Sequence, residues 1–165
     1  MGEFYWKPQW VEILANHEQV LRYSQFTRKM ALELGLKIIQ LVEEKYRESV
    51  AVRIVEDQTT IFAYKMPGTS LENDWWMDRK LAVTRYTGTS SLRAYVEAEA
   101  GLRHAFWQER ADNFAACGGC FPILPADGSM PWAFVLVSGL PHHLDHQVIV
   151  DAISWQLGVD VDALE

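Results

Sequence analysis

GTSLENDWWMDRKLAVTRYTGTSS, residues 68–91, is the stretch from which the rest of the chain is ordered. It follows a turn, Met66-Pro67-Gly68. Asn73 or Asp74 is suited to cap a helix, because either side chain can accept from the free N–H groups of a first turn. The pattern predicts a helix to about Tyr86, closed by Gly88. At about 100° per residue, Trp75, Trp76, Ala82, Val83 and Tyr86 fall on one apolar arc, with Arg79 near its middle. A guanidinium on a buried arc needs a carboxylate, a carbonyl, an aromatic face or a ligand, because burying it unpaired costs several kcal/mol. Arg79 is therefore expected to be largely buried. Its partner is expected at the Gly118-Gly119 turn, at Asp145 or on a neighbouring subunit.

Working outward, Val50–Val55 and Thr59–Lys65 are β-rich runs parted by Glu56-Asp57-Gln58, which reads as a hairpin. Upstream, Thr27 caps a long helix over about 28–46. Gly35 interrupts its apolar arc, which permits close approach to a sheet. Trp10–Leu14 suggests a short helix, and Val20–Phe26 an edge strand or linker. Downstream, Ser90 or Ser91 caps a helix over about 92–100. Phe121–Leu124 and Trp132–Val137 form a second hairpin. Leu144–Leu157 is a helix with Leu144, Val148, Ala152 and Trp155 on one side. Hairpins make antiparallel sheets, so the order predicts an α+β fold with helices covering the sheet. The expected organisation is an N-terminal arm, residues 1–14, and a single domain, residues 15–165.

A net charge of −7 argues against nucleic acid as a partner, since such a surface must be basic. No apolar run approaches the ~20 residues of a membrane span. The first residues lack the basic-then-apolar pattern of a secretory signal, so a cytoplasmic protein with no membrane partner is expected. Seven tryptophans are more aromatic surface than one small core hides, which suggests that some face a ligand or a second subunit.

Cys117-Gly118-Gly119-Cys120 has CxxC spacing. A redox pair belongs at a helix N-terminus, whereas Phe121-Pro122-Ile123 is strand-like, so a tight turn is the simpler reading. His142 and His146, four residues apart, can share a helix face with Asp145 nearby, as a metal site or as a polar first turn. No GxSxG elbow accompanies Ser90, Ser91 or Ser138, which argues against a serine hydrolase. Arg79 and Lys80 are donors suited to a carboxylate or phosphate, with Trp76 beside them as a stacking face. A structural ion pair is the competing explanation.

Gly68-Thr69-Ser70, Asn73-Asp74-x-Trp76, Arg79-Lys80, Ser90-Ser91, Gly118-Gly119-x-Phe121-Pro122-Ile123, Ser138-Gly139-Leu140 and Asp145-His146 occur in this order. Together they resemble a family of small proteins within the GlcG-like and HbpS-like haem-degrading-domain superfamily, over about residues 15–157. The resemblance implies a profilin-like layer fold, with a five-stranded antiparallel sheet covered by helices on both faces, in a homo-oligomer. It also implies a small-ligand-binding protein, with haem or another anionic planar molecule as the candidate. Haem-linked redox enzyme and structural or partner-binding assembly are the alternatives. Asn73, Trp76, Arg79, Lys80, Ser90, Ser91, Gly118, Gly119, Asp145 and His146 are the expected ligand-binding residues. Cys117, His142 and His146 are the candidate metal ligands. Cys117 stands where the family pattern generally carries His, and Cys120 where it carries a small residue.

Overall fold

Two hairpins supply four of the five strands. In this computed structural model, which describes residues 4–165, β2 (Ala51–Glu56) and β3 (Thr59–Lys65) form the first, and β4 (Cys120–Pro125) and β5 (Ala133–Ser138) the second. Asp57 turns the first hairpin with φ 54°. The hairpins join through β5 and β2, and the sheet order is β1-β4-β5-β2-β3. The predicted sheet is thus present with one modification. The two-residue edge strand β1 (Arg22–Tyr23) runs parallel to β4, so the sheet is mixed. So short a pairing leaves no hydropathy pattern to read.

Alternation along the strands sorts the core into two layers. Val52, Ile54, Phe121, Ile123, Val135 and Val137 face helices α2 (Arg28–Leu41) and α5 (His142–Leu157). Thr27 caps α2 as expected, accepting from the Met30 N–H, and a single π-turn, Val42–Tyr46, extends it. At Gly35 a methyl group would overlap the Phe62 ring, which is the close approach the sequence implied. On the other face Ala51, Val55, Cys120, Phe134 and Leu136 meet Met77 of α3, Leu71–Thr87. A third cluster packs α1 (Trp10–Val20) against α4 (Ser91–Glu99) through Trp10, Leu14, Leu92, Tyr95 and Val96. Helix α1 is therefore longer than the short helix expected and runs through position 14. The uncertain segment after Gly101 carries a short 3-10 turn, Phe106–Glu109, with Trp107 buried.

Three expectations need correction. Helix α3 starts at Ser70, not at Asn73 or Asp74. Ser70 is the cap, and Asn73 returns the favour by accepting from the Ser70 N–H. Gly88 closes the helix as predicted. The buried face of α3 is Met77, Arg79, Lys80, Val83 and Thr84, whereas Trp75 and Tyr86 are 46% and 67% exposed. This helix has no single apolar stripe, and two of its polar residues find partners beneath it. Finally, Trp155 lies on the solvent side of α5, with the Lys37 ammonium over its ring, while Val148 and Ala152 are buried as expected.

Candidate functional site

Lys80 and Asp145 are both about 2% exposed. The Lys80 ammonium donates to the Val137 carbonyl at 3.0 Å and to Asp145 Oδ2 at 3.3 Å. Asp145, on the first turn of α5, also accepts from the Leu140 N–H at 2.9 Å. Burial pushes the Asp145 carboxyl up to about 6, and the Lys80 charge beside it opposes that rise. Gly119 makes the pair possible. Its φ is 127°, and a side chain there would collide with the Val137 oxygen and the Lys80 nitrogen. Gly118 is equally confined, with its would-be Cβ against the His142 carbonyl.

The pair lies in the wall of a pocket of about 450 Å³ where the start of α3, the end of β5 and the start of α5 converge. Asn73, Trp76, Cys117, Ser138 and His142 line it, and Phe4 from the N-terminal segment closes one side. Asn73 donates from its amide to both the carbonyl and the hydroxyl of Ser138, which ties the helix start to the strand end. Trp76 and Phe4 also bound a second hollow of about 360 Å³, lined by Arg79, Tyr95, Trp107 and Phe114. Arg79 and Lys80 are successive on a helix, so they open on different hollows to either side of Trp76.

Arg79 is largely buried, at 9% exposure, as its place on the helix required. Its guanidinium lies 3.9 Å from the Trp75 ring centre and 4.8 Å from that of Trp76. Its Nε donates to the Ala111 carbonyl at 2.9 Å, not to the Gly118-Gly119 turn or to Asp145. The nearer aspartates are taken, since Asp74 pairs with Arg53 and Lys65, and Asp78 with Arg53.

His142 accepts from the Gly118 N–H at Nδ1, so its proton sits on Nε2, which donates to the Tyr5 carbonyl at 2.7 Å. Burial lowers its pKa to about 4 and keeps the ring neutral. His146 is not in the pocket wall. It is fully buried behind it and stacks on His17, with Nε2 3.1 Å from His17 Nδ1. His17 in turn donates from Nε2 to the Asp162 carbonyl at 2.6 Å. Burial pushes both rings' pKa values down, His146 farther.

Ser90 and Ser91 are buried at the start of α4, outside both hollows. Ser90 caps the helix by accepting from the Arg93 N–H, and its own N–H donates to Glu18. Ser91 accepts from the Cys120 N–H. Ser90 is thus the cap, one of the two candidates the sequence offered, while Ser91 ties the helix start to β4. Cys117 and Cys120 are buried and not joined in a disulfide, and burial pushes the Cys120 thiol up to about 12. Among the described residues no group of three or more His, Cys, Asp or Glu side chains gathers to hold a metal ion. Cys117 and His142 line the pocket together, but His146 does not join them.

Phe4, Tyr5, His17 and Glu18 were missed in the sequence. Phe4 and Tyr5 meet His142 across almost the whole chain, and no local pattern reports such a contact. His17 follows Leu14 by three residues, so reading the helix past Leu14 would have placed it on the buried face.

Sheet, helix layers and pocket define a profilin-like α+β domain, and solved structures share that fold. The "Crystal structure of Ybr137w protein" superposes with a TM-score of 0.77 and 25% identity, covering 90% of this chain and 88% of that one. HbpS gives a TM-score of 0.62 at 19% identity, covering 83% and 93%. A PduOC:heme complex gives 0.65 at 16% identity, covering 85% and 99%. A family model described as "Haem degrading protein HbpS-like" matches residues 26–154, and the chain belongs to that family. The UPF0303 protein YE1367 of Yersinia enterocolitica is 32% identical over 153 residues, which cover 91% of this chain and 89% of that relative. A UPF0303 protein of Psychromonas ingrahamii is 32% identical over 146 residues, covering 86% and 89%. No helix among the described residues is long and apolar enough to cross a membrane.

Proposed function

We propose that the protein binds a small planar anion, with haem as the first candidate, in the paired hollows beside Trp76. The observation that carries this reading is their division of labour. Among the described residues that line one hollow, Arg79 carries the charge, and the other walls are largely aromatic. The other is lined by a thiol, Cys117, and by His142, whose Nε2–H is held by the Tyr5 carbonyl. Flat rings and a positive charge suit a planar carboxylate-bearing molecule. These residues fit haem in a specific way. The Gly118 N–H holds His142 with its proton on Nε2, which suits an acceptor oxygen better than a metal. Cys117 is then the side chain that would hold iron, as a thiolate. Arg79 would offset the charge of a carboxylate. Bound haem would supply a redox-active iron centre to the pocket.

The PduOC structure is titled a heme complex, and the matching family is described as haem degrading, which supports the same ligand class here. A haem titration followed by absorbance tests it. The expected result is a Soret shift that saturates at stoichiometric haem and weakens in Cys117→Ser. A spectrum that stays that of free haem in the wild-type protein would overturn the reading. Loss of the band with peroxide or reductant would assign turnover rather than binding alone. We further propose a homo-oligomer, because Trp75, Tyr86, Met130, Trp132 and Trp155 stay exposed on the single chain.

A further inference from the structure

We propose that residues 4–6 form an internal strap that occupies the ligand site in the ligand's place and is displaced when ligand binds; this rests on the ligand reading above. Three observations carry it. First, Phe4 lies in the wall shared by both hollows. Its ring is 4.9 Å from the His142 ring and tilted 35° to it, and it meets Trp76 and Tyr95 edge-on. An aromatic plane thus already fills the place between Trp76 and His142.

Second, the His142 Nε2–H is bound by a strap atom, the Tyr5 carbonyl. With Nδ1 engaged by Gly118, this imidazole is a fixed donor. What it recognises is an acceptor oxygen, and Tyr5 supplies one. A ligand carboxylate is the same chemistry with a full charge, and a charge-assisted bond is the stronger.

Third, the strap lies outside regular structure, although Tyr5 meets the Trp10 and His143 rings and Trp6 packs on the α1–α4 cluster. Residues 5–7 belong to no helix or strand, and Tyr5 is exposed. Phe4 is fastened at both backbone groups by one hydroxyl. Its N–H donates to Tyr95 Oη at 2.9 Å, and Tyr95 Oη donates to its carbonyl at 3.1 Å. Pro8 and Trp10 follow, and Trp10 is buried, so displacing the segment about residues 7–8 breaks the Tyr5–Trp10 ring contact and the packing of Trp6 while Trp10 keeps α1 anchored. The strap also lies outside residues 26–154, the part matched by the family model.

The geometry therefore defines a competitor built into the chain, and the preferred ligand is a planar ring system carrying a carboxylate. Removing the Tyr95 hydroxyl removes the clasp, and losing one to two hydrogen bonds raises the open population about tenfold. The test uses the full-length protein as Tyr95→Phe, with Phe4→Gly as a second variant. Solvent exchange of the His142 Nε2 proton, followed by NMR with nitrogen-labelled histidine, reports strap opening without any ligand. Quenching of tryptophan fluorescence by metal-free protoporphyrin IX and by its dimethyl ester reports binding without iron. We expect faster exchange in both variants, about tenfold tighter binding of the diacid in Tyr95→Phe, and no such gain for the ester.

Unchanged exchange in both variants would overturn the strap and leave the ligand reading standing. Faster exchange with unchanged or weaker diacid binding would also overturn it, because Phe4 would then be part of the wall and not a competitor. Faster exchange with no porphyrin bound by any of the proteins, together with a negative haem titration, would overturn the ligand reading and the strap's role with it.

Discussion

Replacing Lys80 with methionine isolates the energetics of the buried pair, because the carboxyl left behind has a way out. Asp145 has an ordinary value of 3.8 and a value of about 6 in the fold. One pKa unit is worth about 1.4 kcal/mol, so an ionised Asp145 already costs the folded state about 3 kcal/mol at pH 7. Keeping a proton on it at pH 7 would cost about 4 kcal/mol against the unfolded chain. Loss of Lys80 can therefore add only roughly 1 kcal/mol through the carboxyl before protonation relieves it. The Val137 carbonyl loses its buried donor as well, which costs about 1–3 kcal/mol, and the methionine stem recovers part of that. The expected total is about 3 kcal/mol, a fall in Tm of roughly 6–12 °C for a chain of this size.

The sign with pH is the sharper test. An acid whose pKa is raised by folding keeps a proton that the unfolded chain releases, so its contribution improves as pH falls from the folded value towards 3.8. Between pH 7 and 5 the wild type gains roughly 1 kcal/mol from Asp145 and Lys80→Met roughly twice that, so the penalty shrinks by roughly 1 kcal/mol. Asp145→Asn leaves the buried ammonium without its carboxylate and should cost about 3–5 kcal/mol, more at pH 5 than at pH 7 because only the wild type gains from Asp145 as pH falls. The double variant should return to within about 1.5 kcal/mol of wild type. Urea denaturation of all four proteins at pH 7 and pH 5 measures these quantities. A Lys80→Met penalty equal at both pH values, or a double variant as unstable as its singles combined, would refute the argument.

Three further outcomes are expected. Arg79→Lys keeps a charge but loses the planar stacking on Trp75 and Trp76, and Arg79→Met loses the bond to Ala111. Each should cost about 2 kcal/mol and speed amide exchange around Ala115, whose N–H donates to the Arg79 carbonyl. Acid should destabilise the fold below pH 6.5, because His17, His142 and His146 have lowered pKa values and the unfolded chain takes up protons that the folded one refuses. His142, at about 4, and Asp145 nearly offset each other, so Asp145→Asn should steepen the acid loss seen by thermal melting. Light scattering should give a particle larger than the 18.9 kDa chain at micromolar concentration, and a monomer there would end the oligomer proposal.

Local chemistry made much of the fold legible. Thr27, Ser90 and Gly88 cap helices where their side chains or left-handed backbone satisfy free backbone groups, whatever surrounds them. The two hairpins follow from runs of β-branched and aromatic residues parted by turn residues, and Gly35 from a gap in an otherwise apolar face. What the sequence could not show is which face of α3 is buried. Lys80 and Thr84 count as outward residues by hydropathy. Both lie inward, Lys80 because Asp145 and the Val137 carbonyl, 65 and 57 residues away from it, await its ammonium. Arg79 was legible as buried, but not its partner, because a carbonyl such as that of Ala111 belongs to every residue and leaves no mark in a sequence. The same reason hid the strap. The contact between Tyr5 and His142 is made by a backbone oxygen across 137 positions, and only the folded chain brings the two together.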